Sequence, residues 1–191
     1  SAEGLKAIFA QVFIGVLMGL LLQIVNAALI IGGQAVSASM GLSMANMVDP
    51  SMGNVPVIAQ FFVICSTLIF LGLGGHVLVI SLLLESFMLV PIGSVIELQQ
   101  LLELTIEWSA MMFLGAILIG LPLMASLLFI NIGLGIITRA APALNIFAVG
   151  FPAMILAGIV LLSLSMTSIG YRIQWLWQES FEIIGQALGI R

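Results

Sequence analysis

Charge is what this sequence has least of. Only 6% of its 191 residues are charged, four basic against eight acidic, for a formal net charge of −4. So few charges build neither a basic footprint for nucleic acid nor a long acidic tail, and no nucleic acid is expected as a partner. Residues that do chemistry are as scarce. The one histidine, His76, stands in "GLGLGGHVLVIS" without the neighbours that a catalytic or metal-binding role needs, and reads as a locally hydrogen-bonded turn or helix-start residue. The one cysteine, Cys65, lies in "FFVICSTLIF", where it can form no internal disulfide and serves as a small core residue. Without a Ser-His-Asp set, a Cys/His pair, a phosphate-binding glycine loop or an intramembrane carboxylate cluster, no chemical step has its parts. Neither an enzyme nor a metal or cofactor site is expected.

Apolar residues are abundant instead: 62% of the chain is hydrophobic and the mean hydropathy is +1.34. Values so far from those of soluble domains mark a membrane protein, and each crossing of a hydrocarbon layer about 30 Å thick takes roughly twenty apolar residues. No fixed-period repeat, low-complexity stretch or soluble linker divides the chain, so residues 1–191 read as a single all-α membrane domain. The start, "SAEGLKAIFAQV", has no signal-peptide pattern, and the chain is expected to begin inside a longer protein. Four basic residues give the positive-inside rule almost nothing to count.

The apolar blocks differ in character. Ala7 to Val48 carries no charge and is too long for one ordinary span. Its first half, "IFAQVFIGVLMGLLLQIVNAALII", is aliphatic all round, whereas "GGQAVSASMGLSMANM" has the small residues that let helices approach closely, and should pack against protein. Asp49-Pro50 is expected to stop this helix, and "DPSMGNVP" has loop composition; at membrane depth such a loop must be buried or line a cavity. Val57 to Phe87 is divided by "GLGGH", which predicts a hairpin or a broken helix. In "SVIELQQLLELTIEW", Glu97, Gln100, Glu103 and Glu107 form one polar stripe, as expected of an amphipathic helix at a water boundary. Trp108 to Thr138 is a long apolar block bent at Pro122, where neighbouring helices must compensate the missing amide bond. A last block runs from Phe151 to about Ile169. The tail beyond it, with Tyr171, Trp175 and Trp177 among charged residues, is expected to lie at, or emerge from, the membrane surface.

Two candidate features emerge. Met40, Met44 and Met47 recur at helical spacing, with Met52 in the following loop. Core packing is the plain reading of this face, and a deformable seal beside a buried loop is the functional one. Arg139 is the only charged residue between Trp108 and Tyr171. Ahead of Ala141-Pro142 it is placed to meet free carbonyls at a helix end, or else is buried against a partner's carboxylate.

"MGLSMANMVDPSMGNVPVIAQFF", then "LIFLGLGGHVLVISLLLESFMLVPIG", then "NIGLGIITRAAPALNIFAVGFPAMILAG" resemble, in order and spacing, the FliR family of flagellar biosynthetic proteins and its virulence type III secretion relatives. The resemblance covers nearly the whole chain, although family members ordinarily begin with further hydrophobic helices. It implies a non-enzymatic subunit of the flagellar export gate: an integral membrane protein of bent and broken helical hairpins in a hetero-oligomer. FliP and FliQ homologues would be its partners, with FlhB and FlhA beyond them, and unfolded flagellar proteins its passengers. The place implied is the bacterial inner membrane, in contact with lipid, at the flagellar basal body.

By the same resemblance the family's plug-like loop maps onto Met44 to Pro56, with Asp49-Pro50 and Val55-Pro56 matching. Met40, Met44, Met47, Asp49, Pro50, Met52, Asn54 and Pro56 are therefore candidate gate residues. Family members often have aromatic residues where Met44 and Met47 stand here. Arg139, Pro142, Asn145, Gly150 and Pro152 match a late family motif and are expected to act in structure or assembly. The alternative drawn from the residues is a small-solute transporter, for which "GLGGH" would mark discontinuous helices near a binding site. Paired intramembrane charges and an internal repeat, which that reading wants, are not present in the sequence.

Overall fold

The computed structural model describes residues 2–42, 57–92, 98–140 and 146–189. They form six helices and no strand: α1 (Ala2–Ser39), α2 (Val57–Gly72), α3 (Gly75–Leu89), α4 (Leu98–Ser109), α5 (Met111–Ala140) and α6 (Ile146–Ala187). An all-α membrane protein follows, for three of these helical stretches are long and apolar enough to cross a membrane, or up to four if the bent α2–α3 pair counts as one.

In the uncharged block at the start, one helix continues through Ser39, joining the aliphatic half to the first of the small residues. With 38 residues, α1 extends about 57 Å at 1.5 Å per residue, well beyond a hydrocarbon core of about 30 Å. It is the central element and packs against α2, α4, α5 and α6. Its glycines let this happen. A Cβ on Gly33 would lie 2.4 Å from the Ala59 Cα of α2, and one on Gly32 would lie 3.1 Å from the Ala116 carbonyl oxygen of α5. Backbones thus touch at Gly32 and Gly33, the first two residues of the small-residue stretch, in the way its composition predicted.

"GLGGH" is a break within an otherwise straight apolar run. α2 and α3 meet at 66°, with Gly74 at φ 72°, a left-handed conformation that favours glycine. Pro122, by contrast, lies inside α5 without ending it.

Two buried clusters hold the helices together. The larger joins Val25, Leu29 and Val36 of α1 to Phe62 of α2, Ile119 and Leu127 of α5, and Ile173 and Leu176 of α6. The smaller collects Ile14, Met18 and Leu21 of α1 with Trp108 of α4 and Ile184 of α6. Trp108 Nε1 donates to the Leu21 carbonyl at 3.1 Å, so the indole is buried without an unmet donor.

The tail is helical as far as Ala187. It does not separate from the last apolar block but continues it, making α6 a single helix of 42 residues. Trp177 is only 5% exposed; its Nε1 donates to Ser66 Oγ at 2.9 Å, and its ring lies 4.6 Å from that of Phe70. The Trp177 indole is thus fixed by a buried hydroxyl on α2. Only Tyr171 and Trp175 remain exposed.

On α4, Gln100, Glu103 and Glu107 are exposed while Trp108 is buried, consistent with the amphipathic reading. Glu97 lies outside the described residues.

Candidate functional site

Of the candidate gate residues, Met40 is described; Met44, Met47, Asp49, Pro50, Met52, Asn54 and Pro56 lie outside the described residues. The first helix does not run on to Asp49-Pro50, where its stop was expected. α1 stops at Ser39, ahead of Asp49-Pro50, because the chain turns at Gly41 with φ 80°. The Gly41 amide bonds back to the Ala38 carbonyl at 3.0 Å, closing the helix in a tight last turn.

Both described roots of the candidate loop are anchored. Met40 is 1% exposed and packs against Gly158 of α6, where a Cβ would come within 2.8 Å of the Met40 sulfur. At the other root, Ile58 and Ala59 are buried, and Ala59 lies against Gly33. Met40 beyond the end of α1 and Ala59 in the first turn of α2 are therefore both packed against other helices.

The second candidate motif meets the first. A Cβ on Gly41 would lie 3.5 Å from the ring of Phe151, the residue between Gly150 and Pro152. Segments more than a hundred residues apart in sequence thus converge where α1 ends and α6 begins. Gly150 is half-buried, and Pro152 is exposed within α6. Arg139 is exposed in the last turn of α5, where the negative end of the helix dipole favours a cation. No ion pair to Arg139 forms among the described residues. Pro142 and Asn145 lie outside them.

Sequence reasoning passed over a different arginine. Arg172 of α6 is half-buried and donates through Nη1 to the backbone carbonyl of Leu118 in α5. The signal was present in two separate places: a mid-helix proline at position 122, and a single basic residue in the long last helix. Nothing in their spacing joined them.

No group of three or more His, Cys, Asp or Glu side chains able to hold a metal ion occurs among the described residues. His76 is exposed in the first turn of α3, and Cys65 is half-buried in α2. Much of the remaining surface is apolar. Val77, Ile80, Leu84, Phe87 and Met88 stand out from α3, and Phe113, Ile117, Leu121, Leu128 and Phe129 from α5. Contiguous surface of this kind is suited to lipid or to other apolar helices.

Residues 3–180 match the family described as Bacterial export proteins, family 1. The chain is 34% identical to the flagellar biosynthetic protein FliR of Pectobacterium carotovorum over 189 residues, covering 98% of this chain and 72% of that protein. It is 35% identical to the FliR of Escherichia coli K12 over 180 residues, covering 93% of this chain and 69% of that one. The FliR of Aquifex aeolicus is 31% identical over 173 residues, 91% of this chain and 67% of its own length. A match of this length, borne by an all-α apolar bundle, leaves one conclusion: the chain belongs to the FliR family of bacterial flagellar export proteins.

Proposed function

We propose that this chain is a core membrane subunit of the flagellar export gate and forms part of the closed conduit through which unfolded flagellar proteins leave the cytoplasm. The observation that carries the proposal is the family match across residues 3–180. The bundle is consistent with such a role, since its helices leave broad apolar faces on α3 and α5 open for lipid and for other helical subunits. FliP and FliQ homologues are the partners proposed for those faces, with FlhB and FlhA further out, in the inner membrane at the basal body. The role is structural and conducting; it needs no catalytic residue and no cofactor.

Within this function, residues 44–56 act as the gate loop, and the anchored roots at Met40 and Ala59 give it a fixed frame to close against. Arg139, Pro142, Asn145, Gly150 and Pro152 serve structure or assembly. A solute-transporter role has no comparable support, because it rests on broken helices alone.

The test is complementation. Introduced as the full-length protein into a bacterium lacking its own FliR, it should restore secretion of flagellar proteins and motility. Stable membrane expression without any secretion, from this gene and from a chimera carrying these residues in the host FliR, would contradict the proposal.

A further inference from the structure

Proline at position 122 removes the amide proton that would bond to the carbonyl of Leu118, four residues earlier, in a helix continuous from Met111 to Ala140. Inside an apolar bundle such a carbonyl has no water to turn to, and leaving it unpaired is costly. That same carbonyl is the one to which the Arg172 guanidinium of α6 donates.

The contact also resolves the second difficulty. Arg172 is the one basic residue of α6, half-buried, and no carboxylate among the described residues pairs with it. A guanidinium in apolar surroundings needs acceptors, and a carbonyl released by proline is an acceptor whose usual donor is absent. Each group meets the other's need, and neither would be comfortable alone. Arginine suits the task because it stays charged and presents several donors on a planar head. Beside it, Ser126 Oγ donates to the Pro122 carbonyl at 2.8 Å.

We infer that Arg172 is a positioning residue that clamps α6 onto the proline site of α5, and that Pro122 and Arg172 work as one unit. Among the described residues this is the one hydrogen bond joining α5 to α6. The rest of their contact is apolar, through residues such as Leu123, Leu127, Ile169 and Ile173. Apolar packing tolerates sliding, whereas a hydrogen bond to one particular carbonyl fixes the register of the two longest apolar stretches after α1. The clamp is independent of which secretion system the protein serves.

The experiment is a double-mutant cycle on the full-length protein in its complex, purified in detergent, read by thermal melting. Arg172→Met keeps the apolar stem and removes the donors; Arg172→Lys keeps a charged donor. Each is made with Pro122 and with Pro122→Ala, where position 122 supplies its own amide to Leu118. In the native background Arg172→Met should lower Tm by several degrees, with Arg172→Lys in between. In the Pro122→Ala background the loss from Arg172→Met should shrink to less than about half. An equal loss in both backgrounds, or none in the native one, overturns the clamp. If Pro122→Ala alone prevents assembly, the lysine and methionine variants decide: greater stability with lysine upholds the donor role, and equal values overturn it.

Discussion

Replacing Gly33 with alanine should weaken the bundle, although the same exchange at Gly15 or Gly19 of α1 should strengthen it. A Cβ at position 33 would stand 2.4 Å from the Ala59 Cα, 2.7 Å from its nitrogen and 2.9 Å from its Cβ. Carbon atoms settle at about 3.5–4.0 Å, so α1 and α2 would have to part by roughly 1 Å. The obstructing atoms are mostly backbone, which cannot swing aside as a side chain does. Parting the helices would loosen the seam where Val36, Ile58 and Phe62 are buried, and a gap of about 0.5–1 Å forfeits a quarter to a half of the dispersion energy there. Overpacking of this kind costs about 1–3 kcal/mol, and the better helix propensity of alanine returns about 1 kcal/mol. The net expectation is a loss of up to about 2 kcal/mol, against a gain of about 1 kcal/mol where the added Cβ meets nothing. Gly15 and Gly19, with nothing within 4 Å of an added Cβ, are the controls, because alanine there keeps only the propensity gain. Thermal melts of the full-length protein in detergent provide the assay. If Gly33→Ala raises Tm as much as Gly19→Ala does, the close approach of α1 and α2 is wrong.

Three further outcomes are expected. Deleting Asp49 to Asn54 should let the assembled complex leak ions, measured as conductance or dye flux across cells or liposomes; unchanged permeability would remove the gate assignment. Arg139→Leu should lower the yield of assembled complex more than it alters permeability of what does assemble, and the reverse pattern would move Arg139 into the conduit. Ser66→Ala should destabilise by about 1–3 kcal/mol, since it strands the Trp177 indole donor in a buried site. Adding Trp177→Phe should recover part of that loss; a double variant as weak as the sum of the two singles would deny the pairing.

How far the sequence could be read depended on the distance over which each signal acts. Local signals served well. "GLGGH" broke α2 from α3 because adjacent glycines favour a turn, and Gly32 and Gly33 packed closely because the lack of a side chain lets helix backbones approach. The first helix was harder. Its end at Ser39 was set by Gly41 adopting a left-handed turn opposite Phe151, while Asp49-Pro50 offered the more conspicuous stop. Tertiary pairings were not legible at all. Trp177 looked like an interface residue because the hydroxyl that holds it belongs to Ser66, on another helix. Arg139 drew notice as an isolated charge, yet the half-buried arginine with a partner in another helix is Arg172. The proline predicted the need for a compensating donor, but only the packing of α6 on α5 could say which residue supplies it.

The central proposal, a gate subunit that works only in an assembly, is tested most directly by purification. The full-length protein, tagged and extracted in mild detergent from its own membranes, should emerge in a stable complex with FliP and FliQ homologues, identified by mass spectrometry. A well-behaved solitary monomer, melting cooperatively and retaining neither partner under conditions that preserve a known export gate, would contradict it.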